Sequence, residues 1–317
     1  MENVSRKKSN WFPWGRAVYV LLALLIAWLA PAEAKSYYRL DANPAQGQPR
    51  NFRTMNGEWQ REFTGEEPSR EGLDTLMASG SGQLTEVTLE WLRGRLEQES
   101  QQPIQIYLVD LRQEPHGYAN DLAVSLYKEN NQANRNKNPL TAEANGQAWL
   151  NSLLGKTIEF FPLGKTDPHV FQPVMVSVDR VRTEEQVLAG TTMRYARFAT
   201  PASSWPEPVV VDAFLDFVRD LPDNAWLHFH CHAGSGRTTT FLIMYDRLRN
   251  RDVPLDTIVQ RQYLLGGANI LTLQPKNSFE ERAYSHRTKM LRLFDRYITE
   301  TSQNQTSLSW SAWLKHQ

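Results

Sequence analysis

The sequence predicts an α/β fold, and two observations lead to it. Strand-like runs alternate with helical patterns along most of the 317 residues, the order expected of helices packed on a sheet. The only cysteine, Cys231, stands in a small glycine-rich loop between an apolar strand-like run and a helical pattern. About 41% of residues are hydrophobic, enough for a sizeable core, and the length suits one large domain with an addition.

Taken in order, the elements begin with an expected leader. Arg6, Lys7, Lys8 and Arg16 form a positive segment, Ala17 to Ala30 is continuously apolar, and Ala32-Glu33-Ala34 fits a small-x-small cleavage site. An apolar stretch of about fourteen residues is short against the roughly twenty that span a bilayer, so residues 1–34 read as a signal peptide rather than an anchor. The mature chain would start at Lys35, be periplasmic or secreted, and keep no stable membrane association. Residues 35–50 look irregular, punctuated by Asn43-Pro44 and Gln48-Pro49. Leu84, Val87, Trp91 and Leu92 mark an amphipathic helix. Ile104 to Val109 is a β-rich run ending at Asp110 and is expected as a central strand. Residues 129–147 are polar and Asn-rich, read as a solvent-facing connection. Between Ile158 and Phe198 the pattern turns β-like, in Thr157 to Phe160, Val174 to Val181 and Met193 to Phe198. Pro206 and Pro208 precede a helix that buries Val211, Phe214, Leu215 and Val218. Trp226 to His230 is the strand before the cysteine, and a helix from Arg237 carries Phe241, Met244, Tyr245 and Leu248 on one face. Met290, Leu293, Phe294 and Tyr297 give a late helix, against which Trp310, Trp313 and Leu314 dock the tail.

The loop His230-Cys231-His232-Ala233-Gly234-Ser235-Gly236-Arg237-Thr238 carries the chemistry. Gly234 and Gly236 permit a tight backbone that turns successive N–H groups inward. The loop ends at a helix N-terminus, which favours anions. Backbone N–H groups, that helix end and a guanidinium all lower a thiol pKa, and the same groups cradle a phosphate. Arg237 would bind two phosphate oxygens through its planar fork, which lysine could not do. Cys231 would attack phosphorus in line to form a phosphocysteine that water cleaves, with Thr238 hydrogen-bonding the departing sulfur. A structural cysteine beside a glycine turn would explain neither Arg237 nor both glycines.

His-Cys-x5-Arg-Thr resembles the signature loop of cysteine-based protein tyrosine phosphatases. Phe52-Arg53-Thr54, Pro68-Ser69-Arg70-Glu71-Gly72, Val109-Asp110-Leu111-Arg112-Gln113-Glu114, His116-Gly117, Pro162-Leu163-Gly164-Lys165, Met193-Arg194-Tyr195 and Trp226 to His230 extend the likeness to the bacterial phosphatase-like phytases, from about Arg50 to the carboxyl end. The resemblance implies a tyrosine-phosphatase-like fold over residues 35–317, interrupted at about 155–198 by a small inserted partial β-barrel. It implies hydrolysis of inositol polyphosphates without cofactor or metal. It places Arg53, Lys165, Lys276, Arg287 and Lys289 in segments that line the substrate pocket, and Asp110 and His116 in the closest-matching motif. His230 is expected to orient the loop through backbone hydrogen bonds, and His232 to add positive charge beside the phosphate.

One position departs from the family. Its general acid sits in a loop reading roughly Asp-His-Val-Trp-Pro, and the aligned stretch here is Ala202-Ser203-Ser204-Trp205-Pro206. A general acid contributes ~10²–10⁴-fold, or roughly 3–5 kcal/mol of barrier, most when the leaving group is an alkoxide. Three readings stand. Another acid serves, with Glu207 nearest in sequence or His116 and Asp110 by location in the family's site. Or the enzyme is slow and suited to good leaving groups. Or the chain is a catalytically weak module that binds phosphorylated ligands. A phosphotyrosine or dual-specificity phosphatase would share Cys231 and Arg237, and a deep aromatic slot would mark it against a pocket ringed by basic residues. The formal net charge is zero, so the positive charge for a polyphosphate must be local. No basic run outside the N-terminus suggests nucleic-acid binding, and the seven histidines show no ligand spacing for a metal.

Overall fold

Residues 36–43, 47–100, 102–162, 172–304 and 308–317 are described by a computed structural model; for 303 and 304 only the backbone is described. The expected leader at 1–34 and Lys165 lie outside the described residues. The strands are β1 (Ser36–Leu40), β2 (Arg53–Thr54), β3 (Ala78–Ser81), β4 (Gln105–Arg112), β5 (His116–Ala119), β6 (Leu122–Lys128), β7 (Thr157–Phe160), β8 (Val174–Ser177), β9 (Val181–Arg182), β10 (Arg194–Thr200) and β11 (Ala225–His230). The α-helices are α1 (Glu86–Glu99), α2 (Pro139–Asn151), α3 (Glu184–Leu188), α4 (Pro208–Arg219), α5 (Gly236–Arg249), α6 (Leu255–Leu264), α7 (Ser278–Asn304) and α8 (Trp310–Leu314).

The main sheet has the order β10-β4-β11-β3-β2, parallel except for β2. A parallel sheet covered on both faces buries both sides of its strands, and all six residues of β11 are buried, His228 and His230 among them. Alternation then sorts the two faces. Val109, Leu111, Leu227 and Phe229 pack with residues of α4, α5, α6, α7 and α8 in the larger core. Ile106, Leu108 and Trp226 pack against α1, Leu188 and Met193. The α/β expectation and the central placing of Ile104–Val109 hold.

Three local readings are corrected. In α1 the buried stripe is Thr88, Leu89, Leu92 and Leu96, while Val87 is 59% exposed. Thr85 caps the helix with Thr88 in a reciprocal capping box, which leaves Leu84 before the helix and rotates the stripe by one residue. The polar segment 129–147 is not a plain connection. Asn138 caps α2, accepting from the Thr141 N–H at 2.8 Å, with Pro139 in the first turn. Its buried face is Ala142, Gly146 and Leu150, too small to stand out in a hydropathy pattern. Helix α5 is buried from Arg237 through Arg247, not on one face only.

The expected β-rich stretch at 155–198 divides. β7 and β8 form a two-stranded ladder and β9 joins β1, β6 and β5 in an antiparallel sheet, whereas β10 belongs to the main sheet. β1, β5 and β6, outside that stretch, supply most of the small sheet. The late helix and tail follow expectation: Trp310 and Trp313 are buried, with the Trp310 ring 5.8 Å from Phe294 and 5.6 Å from Tyr297. Among the described residues no helix is long and apolar enough to cross a membrane.

Candidate active site

The carboxyl end of β11 delivers Cys231 to the N-terminus of α5. The carbonyls of three successive loop residues are drawn outward by one segment. Arg50 donates to His232 O (2.9 Å), Asn51 to Ala233 O (2.8 Å) and Arg53 to Gly234 O (2.8 Å). With the carbonyls held outside, the N–H groups face the thiol. Gly234 has φ +72°, and a Cβ there would collide with the backbone of Ser81 and Gly82. Helix α5 has no side-chain cap, so its first N–H groups stay available to an anion. Thr238 Oγ1 donates to Cys231 Sγ at 3.3 Å. Burial pushes the thiol pKa up; the Arg237 guanidinium, the Thr238 hydroxyl and the N–H groups of Thr238 and Gly234 outweigh it and bring it to about 7.

Arg237 is fixed from behind. Its NH1 donates to Glu114 Oε2 (2.7 Å) and Thr200 O (2.9 Å), and its NH2 to Glu114 Oε1 (2.8 Å). Glu114 in turn accepts from Arg112 Nε and Asn131 Nδ2, each at 2.9 Å. Burial disfavours the Glu114 carboxylate, but Arg237 and Arg112 hold its pKa well below the usual range. These partners occupy the NH1 side of Arg237. The edge made by Nε and the second NH2 proton is left as a flat two-donor face, the shape that matches two phosphate oxygens.

A cavity of about 220 Å³ opens on the thiol, lined among others by Ala202, Ser203, His232, Arg237, Tyr284 and Arg287. Arg287 is 1% exposed, and its Nε and NH2 have no hydrogen-bond partner. Its guanidinium carbon stands 4.9 Å from the Tyr284 ring centroid. A Cβ on Gly236 would come within 2.9 Å of its NH1, so glycine there lets this cation approach the loop. Burial lowers the Arg287 pKa to about 10, which still leaves it charged at neutral pH.

Of the other residues expected to bind substrate, those among the described residues fall outside the cavity lining. Arg53 is buried behind the loop, donating to Gly234 O, Asn51 O and Thr239 Oγ1; it positions the loop and does not line the cavity. Lys276 is exposed at the approach to α7 and does not line it either. Asp110 is buried beneath, accepting from Tyr195 Oη (2.9 Å) and paired with Arg197 Nε and His116 Nε2 (3.1 Å each). Burial opposes a charge on either Asp110 or His116, but each outweighs it for the other, lowering the carboxyl pKa well below its usual value and raising that of the imidazole. Burial and Arg39 hold His232 neutral, its pKa lowered to about 3 against the pull of Asp41, so it adds no positive charge. His230 Nε2 stands 3.1 Å from Glu184 Oε2 rather than on the loop backbone. Asp110, His116 and Glu184 bring one ligand atom each within 4.8 Å of one another, a grouping their spacing in sequence hides. Both ring nitrogens of His116 face acceptors, Nδ1 the Glu114 carbonyl at 2.8 Å and Nε2 the Asp110 carboxylate, and Tyr195 and Arg197 already occupy Asp110, so the group reads as a hydrogen-bonded brace. Arg287 lines the cavity as its segment led one to expect, whereas Glu114 is the functional side chain that motif reasoning did not assign.

A thiolate-stabilising loop between a parallel strand and a helix, with a carboxylate-braced arginine, defines a cysteine-phosphatase type of site. The comparisons specify it further. Residues 109–249 match the family model PTPlike_phytase, described as inositol hexakisphosphate. The PTP-like myo-inositol phosphatase from Mitsuokella multacida, solved in complex with myo-inositol-(1,3,4,5)-tetrakisphosphate, is 35% identical, with a TM-score of 0.81 over 94% of this chain and 52% of its own. A PTP-like phytase from Bdellovibrio bacteriovorus is 25% identical, with a TM-score of 0.69 over 89% of this chain and 96% of its own. Effector protein hopD2 of Pseudomonas syringae pv. tomato is 27% identical over 65% of this chain and 45% of its own length. The chain thus spans about half of the Mitsuokella protein and less than half of hopD2. It belongs to the tyrosine-phosphatase-like phytase family.

Proposed function

We propose that the chain is a cysteine-dependent phosphomonoesterase acting on inositol polyphosphates. The observation that carries this reading is the pairing of a thiol with pKa about 7 and a buried Arg287, whose Nε and NH2 have no hydrogen-bond partner, in one cavity. A buried guanidinium with two nitrogens lacking hydrogen-bond partners is costly unless an anion arrives to pair with them. The Nε–NH2 edge of Arg237 and the α5 N–H groups would hold the reacting phosphate, and Arg287 would meet it or a neighbouring phosphate. Cys231 Sγ attacks phosphorus, the S–P bond forms as the bond to the inositol oxygen breaks, and water then displaces the thiolate. Thr238 donates to the sulfur as it leaves. The bound inositol tetrakisphosphate of the Mitsuokella relative supports this substrate class. Among the described residues the cavity lining holds no Phe or Trp and a single Tyr, Tyr284, rather than an aromatic slot, which disfavours phosphotyrosine. A second reading, binding with little turnover, draws on the lining itself: no carboxyl group belongs to it among the described residues. Export of the chain belongs to the same proposal, supported by the pattern of residues 1–34.

Phosphate release from phytate and from an aryl phosphate, beside Cys231→Ser, tests the reading. Cysteine-dependent release from phytate supports it. Release from neither substrate, with phytate still bound, refutes the enzyme and leaves the binding module.

A further inference from the structure

Ala202 leaves the leaving oxygen without the carboxylic acid expected beside it, and the cavity shows what stands there instead. Glu207, the nearest carboxyl in sequence, is exposed at the start of α4, and neither it nor Asp110 or His116 lines the cavity. Glu114 and Asp41 are buried, ionised and committed to Arg237, Arg112 and Arg39. His232 is neutral, and a neutral imidazole is a far weaker acid than a phenol. Of the lining side chains, Tyr284 is the one whose proton can be given to an alkoxide. It projects from α7 on the same face as Glu280 and Arg287, four residues before and three after. Its hydroxyl interacts with the side chains of Ser203, next to Ala202, and Glu280. Ser203 adopts φ +64°, unusual for a residue with a Cβ, and this turn carries the 202–203 segment along the cavity wall.

We propose that Tyr284 is the proton donor to the leaving oxygen, in the place the Ala202 position has vacated; this rests on the phosphatase reading above. In the first step the S–P bond forms, the P–O bond to inositol breaks, and the leaving oxygen takes the phenol proton, giving an alcohol and a phenolate. Burial and Glu280 hold the phenol pKa above its ordinary value, and the Arg287 guanidinium, at 4.9 Å from the ring, opposes them and favours the phenolate once it forms. In the second step water attacks phosphorus, its proton returns to the phenolate, and the S–P bond breaks to restore the thiolate. Atoms and charge balance over the cycle without a co-reactant other than water.

The test is the leaving-group dependence of Tyr284→Phe, which keeps the ring against Arg287. Phytate turnover should fall by roughly tenfold or more, the lower part of the usual range for a general acid. Turnover of p-nitrophenyl phosphate, whose leaving group needs no proton, should change by less than about threefold on the same ground. Ala202→Asp should raise phytate turnover and make Tyr284→Phe nearly silent in the double variant. Equal loss on both substrates, or unchanged phytate turnover, overturns the role of Tyr284 and leaves the phosphatase reading intact. Wild-type release from the aryl ester alone overturns Tyr284 as an effective acid. Release from neither substrate overturns the phosphatase reading with it.

Discussion

Replacing Glu114 by glutamine tests whether the arginine of the loop is held by charge or by shape. The variant is nearly isosteric, so packing is kept. If the amide oxygen takes the Oε1 place, it still accepts from Arg237 NH2, Arg112 Nε and Asn131 Nδ2. Its NH2 group then occupies the Oε2 place, where Arg237 NH1 now stands 2.7 Å away, and two donors face each other. Arg237 also loses its buried counter-charge. Breaking one side of a buried pair costs about 3–5 kcal/mol, and both groups here are within 4% of full burial. Urea unfolding followed by tryptophan fluorescence should therefore show a loss of that size. A freed guanidinium also presents its Nε–NH2 edge less well, so kcat/KM for a phosphomonoester should drop more than stability alone explains at temperatures where the variant is folded. A loss under about 1 kcal/mol, the range of an exposed pair, with unchanged kcat/KM would refute the brace.

Arg287→Ala should leave stability unchanged or raised, because it removes a buried cation two of whose nitrogens have no hydrogen-bond partner, while weakening phytate binding at least tenfold by calorimetry. Alkylation of Cys231 by iodoacetamide should titrate with a midpoint near pH 7, and inorganic phosphate should slow it. Cys231→Ser should bind phosphate more tightly than the wild type above pH 7, where the native site already holds a thiolate, with the difference closing below it. Asp41, Asp110 and Glu114 are all more acidic folded than unfolded. The stability they add is present above the unfolded carboxylate range and is lost as pH falls through it towards their folded values. The urea midpoint should thus decline below about pH 4, and a flat midpoint down to pH 3 would contradict the assignment.

The loop was legible because its determinants are contiguous. Strand, glycines, cysteine, arginine and helix start occupy thirteen successive residues, 226–238, and each constrains the next. Glu114 was not legible as the brace, because its partner Arg237 lies 123 residues away and only the sheet brings them together. Arg287 was legible only as one of several basic residues in pocket-lining segments, because it reaches the cavity from one turn of a long helix whose surrounding sequence departs from the family. Motif membership also failed to tell the cavity wall from the layer behind it. Arg53, Asp110 and His116 lie in well-matched motifs, yet each is spent on positioning: Arg53 on a loop carbonyl, the other two on each other. The strand partition failed for a related reason. β10 and β7 both read as apolar alternation, and nothing local in either says which sheet completes its ladder.

The charges around the thiol explain how a chain of zero net charge builds an anion site. Arg237 is balanced by Glu114, Arg112 by Asp41 and Glu114, and Arg197 by Asp110. Each of these pairs is neutral from a distance. Arg53 and Arg287 are different. Burial lowers both to about 10, and the nearby Cys231 opposes that shift in each. Their hydrogen-bond partners among the described residues are carbonyl and hydroxyl oxygens for Arg53, and Arg287 Nε and NH2 have none. The thiolate is thus an anion that both cations feel in the resting site, with Tyr284 and Glu280 adding to it at Arg287. In the proposed reaction a phosphate entering the loop, and the phosphocysteine that would follow, would inherit the same field as negative charge moved from sulfur to phosphoryl oxygen. The electrostatic preorganisation that lowers the thiol pKa is therefore the one that would stabilise the transferring group.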